Sequence, residues 1–65
     1  MSTTTTTRDT SPAAAERLRT TEWQGALDLP DGTEFADGRT PAGRRCRLYR
    51  ELGPQTRYWI EVETD

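Results

Sequence analysis

Arginine and aromatic residues alternate in the second half of this sequence, and they are the side chains best suited to bind another molecule. Residues 38–58 contain six Arg and one acid, Glu51, and Tyr49, Tyr58 and Trp59 lie among or beside them. Guanidinium groups bind phosphates and carboxylates, whereas aromatic rings stack on bases or fill pockets in a protein partner. The segment therefore indicates binding, with protein and nucleic acid as the two candidate ligands.

Residues that usually carry out catalysis are scarce. The chain has no His and no Lys, which removes the commonest general base and the Schiff-base nucleophile. Its one Cys, Cys46, alternates into an apolar strand face and is predicted to be a buried structural thiol. Asp28 and Glu34 face each other in the predicted first hairpin, but two solvated acids beside a turn explain them equally well. We predict a non-enzymatic protein with no metal and no cofactor.

Length and composition limit the chain to one small domain. It has 65 residues, of which 31% are apolar, and a formal net charge of -2. No apolar run reaches the ~20 residues of a membrane span, and none is suited to a signal peptide, so we expect no membrane association. A single Cys cannot form an intramolecular disulfide, which favours a reducing, cytoplasmic setting. Every basic residue is Arg, and Lys and Asn are absent, which indicates a GC-rich prokaryotic genome.

The first 20 residues divide into two segments. Residues 1–10 are Thr-rich with no apolar residue after Met1, and this composition predicts a disordered tail. Residues 11–20 fit a short helix, because Ser11 can cap it and Pro12 suits the first helical position. About two turns of helix are unstable alone, so this segment is either a docked helix or a linker.

Turn signals at regular spacing predict that residues 21–65 form a single small β domain. Gly32, Gly43 and Gly53 each lie in a Pro-containing turn, and the segments between the turns read as strands. The predicted architecture is a four-stranded antiparallel meander, either SH3-like or an open curled sheet, with strands near 22–29, 33–39, 44–52 and 56–63. The alternative is a ββαβ fold with a helix at 41–52, since Thr40 could cap it and Gly53 could end it.

Side-chain complementarity across the last turn favours a hairpin over that helix. Placing Leu52 opposite Thr56 sets an apolar face and a second face that holds an aromatic pair and opposite charges. A shift by one residue would disrupt both faces. The apolar face pairs Arg50 with Tyr58, Leu48 with Ile60 and Cys46 with Val62, and the second pairs Glu51 with Arg57, Tyr49 with Trp59, Arg47 with Glu61 and Arg45 with Glu63.

The first hairpin is predicted to pair Leu27 with Phe35. Strict alternation would then place Phe35 on the charged face. We therefore expect a β-bulge between Asp37 and Arg44, for which Gly38 can adopt the required conformation, and this bulge returns Phe35 to the core. The predicted core is Trp23, Leu27, Leu29, Phe35, Cys46, Leu48, Leu52, Tyr58, Ile60 and Val62. The short helix offers few apolar groups to cover this face, so we expect a homodimer or an unidentified protein partner to cover it.

The second face is the predicted binding surface. Tyr49 and Trp59 form an outward pair ringed by charges, as at the centre of many protein interfaces. The arginines of this face lie opposite acids, and a face whose charges cancel disfavours phosphate binding. We therefore predict a small protein-binding or regulatory module, with a nucleic-acid-binding protein using the Arg-rich segment 39–57 as the alternative. The candidate binding residues are Arg45, Arg47, Tyr49, Arg57 and Trp59.

Overall fold

An antiparallel sheet with a short helix on one face accounts for residues 3–8 and 10–64, the part of the chain that the computed structural model describes. In this part, five strands run in the order β1-β5-β4-β3-β2. The predicted mainly β fold is confirmed, with one strand more than expected. The elements are β1 (Thr3–Arg8), α1 (Pro12–Leu18), β2 (Gln24–Gly25), β3 (Thr33–Arg39), β4 (Arg45–Glu51) and β5 (Arg57–Thr64).

The hairpin of β4 and β5 has the predicted register. Leu48 lies opposite Ile60, Tyr49 opposite Trp59, and Arg47 opposite Glu61. The alternative helix at 41–52 is wrong, because Arg45–Glu51 is a strand paired on both sides. As a strand, this segment places its apolar side chains on one face and its charged side chains on the other, each opposite matching residues of β5. A helix could not form these cross-strand pairs.

The predicted bulge in β3 is wrong. Phe35 lies opposite Tyr49 and Gly38 opposite Cys46, so the register with β4 is regular throughout. Gly38 serves a different purpose, because a Cβ there would overlap the Leu18 carbonyl oxygen and lie 2.7 Å from the Leu48 side chain. The glycine lets the end of α1 approach the sheet closely.

The predicted first strand, residues 22–29, is reduced to β2. Gly32 adopts a φ of 85°, and the Thr33 amide donates to the Pro30 carbonyl at 3.0 Å, so the predicted turn is present. The pairing differs, however, because Gln24, and not Leu27, lies opposite Phe35. Since α1 ends beside Gly38, residues 19–25 have already run along β3 before the chain reaches Leu27, which is left fully exposed.

The predicted disorder of residues 1–10 is wrong for Thr3–Arg8. These residues form β1, in which Thr5 lies opposite Val62 and Thr7 opposite Ile60. The described side chains of β1 are exposed, so apolar burial does not hold it in place. The strand is stabilised by its backbone hydrogen bonds to β5 and by the β-propensity of Thr. Residues 1, 2 and 9 lie outside the described part.

The core lies between α1 and the sheet. Ser11 caps the helix by accepting from the Ala14 amide at 3.2 Å, as predicted, and Ala15 is fully buried. The buried apolar residues of the described chain are Ala15, Ala36, Cys46, Leu48 and Ile60, with Leu18, Trp23, Tyr58 and Val62 packed around them. Leu27 and Leu52 were wrongly predicted to be core residues and are exposed, as no element of the described chain covers them.

The helix therefore covers the apolar face that we expected a second copy or a partner to cover. Small Ala side chains suffice because Gly38 allows α1 to lie close to the sheet. The core therefore gives no reason to expect a homodimer. No helix in the described residues has the length and apolar character needed to cross a membrane.

Candidate functional site

The sheet has two chemically distinct faces because side chains alternate along each strand. Residues in register with Leu48 point toward α1, and those in register with Tyr49 point away from it. We call the second surface the open face. It carries Thr4, Thr6 and Arg8 from β1, Phe35, Asp37 and Arg39 from β3, Arg45, Arg47, Tyr49 and Glu51 from β4, and Arg57, Trp59, Glu61 and Glu63 from β5.

Three aromatic side chains lie side by side across the open face. Phe35 is opposite Tyr49, which is opposite Trp59, and we call these residues the aromatic row. The Tyr49 and Trp59 rings are stacked, with centroids 5.4 Å apart and an interplanar angle of 13°. All three side chains are half-buried, and Gln24 and Arg8 continue the row at its ends. The row therefore offers a continuous, partly exposed apolar strip on strands whose register is set by hydrogen bonds.

Sequence reasoning missed Phe35 as a member of this row. The predicted bulge moved it to the core, although strict alternation along β3 would have placed it beside Tyr49. The alternation of side chains along β3 was therefore the sequence signal that places Phe35 in the aromatic row. Its burial is partial, and the Arg47 guanidinium carbon lies 4.8 Å from its ring centroid.

Arg47 is held by neighbours within the face. Its Nε donates to an Asp37 carboxylate oxygen at 3.2 Å, in addition to the cation–π contact with Phe35. Glu61 lies opposite Arg47 as predicted, but the short ion pair is made with Asp37 of β3. The guanidinium is therefore pre-positioned beside the aromatic row and already paired with a carboxylate.

The structure places all five predicted binding residues on the open face. Arg47 and Arg57 lie in the cross-strand rows on either side of Tyr49 and Trp59. Arg45 is one row beyond Arg47, opposite Arg39. Arg45 and Arg57 are exposed and flank opposite ends of the aromatic pair.

A shallow concavity of about 590 Å³ lies on the open face beside Tyr49. Charged groups of both signs line it, namely Arg39, Arg45, Arg47, Asp37, Glu61 and Glu63. Burial, together with the Glu61 carboxylate, raises the pKa of the Tyr49 phenol. Tyr49 thus stays protonated at neutral pH and can donate a hydrogen bond at the rim of the concavity.

The structure places the thiol and the carboxylates that sequence analysis considered for chemistry. Among them, no group of three His, Cys, Asp or Glu could hold a metal ion. Cys46 is buried, and burial raises the pKa of its thiol, which keeps it in the unreactive form. The predicted approach of Asp28 to Glu34 is wrong, since Glu34 lies opposite Gly25 and binds Arg50 at 2.7 Å.

The chain matches no known protein family, no curated protein and no solved structure. The features of the open face that a partner can contact are the aromatic row and the charged groups around it, since α1 lies on the other side of the sheet.

Proposed function

We propose that the chain is a small, non-enzymatic protein-binding module that acts by docking its open face on a partner protein. The observation that carries this proposal is the in-register alignment of Phe35, Tyr49 and Trp59 on a face that α1 does not cover. Aromatic residues with Arg beside them are enriched among the residues that dominate protein interfaces. The chain would regulate such a partner if it covered the surface through which the partner binds other molecules.

The charges around the aromatic row favour a protein partner over nucleic acid. Arg47 is paired with Asp37, and Arg45 faces a concavity that also contains Glu61 and Glu63. A polyanion would meet these carboxylates, and the whole chain has a net charge of -2. The partner we propose presents an apolar group to the aromatic row and charges of both signs around it.

The proposal includes a reducing, cytoplasmic setting in a prokaryotic cell. Cys46 is a free, buried thiol, which is compatible with a reducing compartment. Every basic residue of the chain is Arg, and this supports a GC-rich genome as its source.

Affinity capture followed by quantitative binding tests the proposed function. Tagged chain is used to capture proteins from a native lysate, and a captured protein is then purified and titrated at two salt concentrations. We expect Trp59→Ala to weaken this binding by about 30-fold, since interface aromatics contribute about 2 kcal/mol or more. Arg17→Ala is the matched control, because Arg17 is exposed on α1, on the other side of the sheet.

Two results would contradict a protein-binding open face. One is equal binding of the purified partner by the parent chain and by Trp59→Ala. The other is tight binding of single-stranded homopolymers with a steep loss of affinity as salt rises, which is the behaviour of phosphate contacts. Loss of that binding in Arg45→Ala and Arg57→Ala would favour the nucleic-acid alternative.

A further inference from the structure

The two edges of the sheet differ in whether their backbone groups have hydrogen-bond partners. At the β3 edge, the segment after α1 supplies partners, since the Thr20 amide donates to the Asp37 carbonyl at 2.9 Å. The Asp37 amide donates in turn to the Thr21 hydroxyl at 2.8 Å, and β2 pairs with the next residues of this edge of β3. At the opposite edge, β1 pairs with β5 on one side, and no described segment pairs with its other side.

The outer edge of β1 has few of the features that prevent strands from pairing. Natural edge strands are commonly blocked by Pro, by bulges or by charges in their middle. Thr3–Arg8 contains no Pro and no Gly, its register with β5 is regular, and its one charge, Arg8, is terminal. Thr favours strands, and alternate backbone groups of an edge strand point outward without a partner.

We propose that β1 pairs with β1 of a second copy of this chain, antiparallel and across a two-fold axis at Thr6. This register places Thr4 opposite Arg8 of the copy and Thr5 opposite Thr7, so that the open faces of both copies lie on the same side. A two-fold axis perpendicular to the sheet requires that paired residues share a face, and this register meets that condition.

Charge complementarity and the number of paired residues together select the axis at Thr6. Arg8 of one copy lies in the same row as Thr4 of the other copy, and Thr4 is opposite Glu63 within its own sheet. Two strand spacings of about 4.8 Å separate Arg8 from that Glu63, a distance that an extended Arg and a Glu side chain can span. The symmetry repeats this ion pair. With the axis at Thr5, Arg8 would lose this neighbour. With the axis at Thr7, Arg8 would lie in the row of Thr6 and Glu61, but only residues 6–8 of β1 would pair.

The proposed dimer is independent of the proposed function of the open face. It joins the two open faces into one surface that carries both aromatic rows. A partner with two matching sites would then bind more tightly than through one row.

Charge substitution at the axis tests this pairing. Thr6 is exposed, and in the proposed dimer it faces its own copy, so Thr6→Glu or Thr6→Lys places like charges directly opposite. We expect the parent chain to sediment as a dimer at concentrations on the order of tens of micromolar. Each single variant should dissociate at least about tenfold more readily, and an equimolar mixture of the two should restore the dimer.

Thr56→Glu and Thr56→Lys are the matched controls, because Thr56 is exposed in the turn between β4 and β5. They should dimerise like the parent chain. A parent chain that stays monomeric throughout this range overturns the proposal, as does a dimer that is unaffected by both Thr6 variants. Circular dichroism of each variant checks that β1 substitution leaves the fold intact. A monomer that binds extended peptides along β1 would assign the edge to a different occupant and also overturn the proposal.

Discussion

The Arg50 guanidinium carbon lies 4.5 Å from the centroid of the Trp23 ring, in a cation–π contact on the side of the sheet that α1 covers. Arg50 also binds Glu34 at 2.7 Å, while the Trp23 indole donates to Glu16 of α1 at 3.0 Å. Trp23 therefore connects the helix to β3 and β4. Its ring also makes an edge contact with Tyr58, which closes one side of the small core.

We expect Trp23→Ala to lower the free energy of unfolding by about 3–5 kcal/mol, because it removes this connection and a large apolar group. Trp23→Phe keeps a ring but loses the hydrogen bond to Glu16, and it should lower the free energy by less. Urea denaturation followed by circular dichroism measures both. Equal stability of Trp23→Ala and the parent chain would show that the contact does not hold α1 in place.

Gly38→Ala should lower the free energy of unfolding by about 1–3 kcal/mol, the usual effect of overpacking. The added methyl would overlap the Leu18 carbonyl oxygen and crowd Leu48, so α1 must move away from the sheet. Gly53→Ala is the control, since no atom lies within 4 Å of the position of its Cβ. Thermal denaturation distinguishes them, and a similar small change in both variants would contradict the proposed packing role.

Deleting residues 1–8 should lower the thermal midpoint by several degrees. A loss of 1 kcal/mol shifts the midpoint of a domain this small by about 4–8 °C, and removal of β1 leaves one edge of β5 unpaired. Hydrogen exchange at Ile60 and Val62 should accelerate more than exchange at Leu48 in the centre of the sheet. An unchanged midpoint with unchanged exchange would favour the disordered tail that composition predicts.

Tyr49 and Trp59 should couple by about 0.5–1.5 kcal/mol in a double-mutant cycle, as expected for a stacked cross-strand pair. Trp59→Ala alone should therefore have a modest effect on folding. Ile60→Ala truncates a buried side chain on the opposite face and should lower the free energy of unfolding by about 2–5 kcal/mol. Chemical denaturation of Tyr49→Ala, Trp59→Ala, their double variant and Ile60→Ala checks this, and zero coupling would place the two rings apart.

Stability should fall in acid partly through Glu16. Hydrogen bonds from Trp23 and Arg19 lower the pKa of this carboxyl in the folded chain. The carboxylate therefore stabilises the fold above its unfolded pKa, and this contribution is lost as pH falls through the lower folded pKa. Glu16→Gln should show a shallower loss of stability below about pH 4.5 than the parent chain. A Glu16→Gln variant whose stability falls as steeply as that of the parent chain in this range would contradict the prediction.

The local sequence was sufficient to predict the hairpin of β4 and β5. Complementary pairs such as Tyr49 with Trp59 and Leu48 with Ile60 lie close in the chain, so one turn sets them all. The turns at Gly32 and Gly43 were equally predictable, because their φ of 85° is a conformation that Gly adopts readily. Of the predicted binding residues, Arg47, Tyr49 and Trp59 lie in this hairpin's inner rows. Arg57 lies in the row beside the turn, and Arg45 lies at the opposite end of the hairpin.

Contacts between distant segments decided the rest. β1 has no side-chain pattern that identifies β5 as its partner, because its pairing is made by the backbone. The exposure of Leu27 depends on where α1 ends, because residues 19–25 run along β3 before the chain reaches it, and α1 ends where Leu18 lies against Gly38. Such long-range packing leaves little periodic signal in a sequence, whereas cross-strand pairing within a hairpin leaves a direct one. The chain by itself thus determined the strands that carry the aromatic pair and the alternation that adds Phe35 to it. The tertiary structure decided that α1 covers the opposite face of the sheet and leaves this row uncovered.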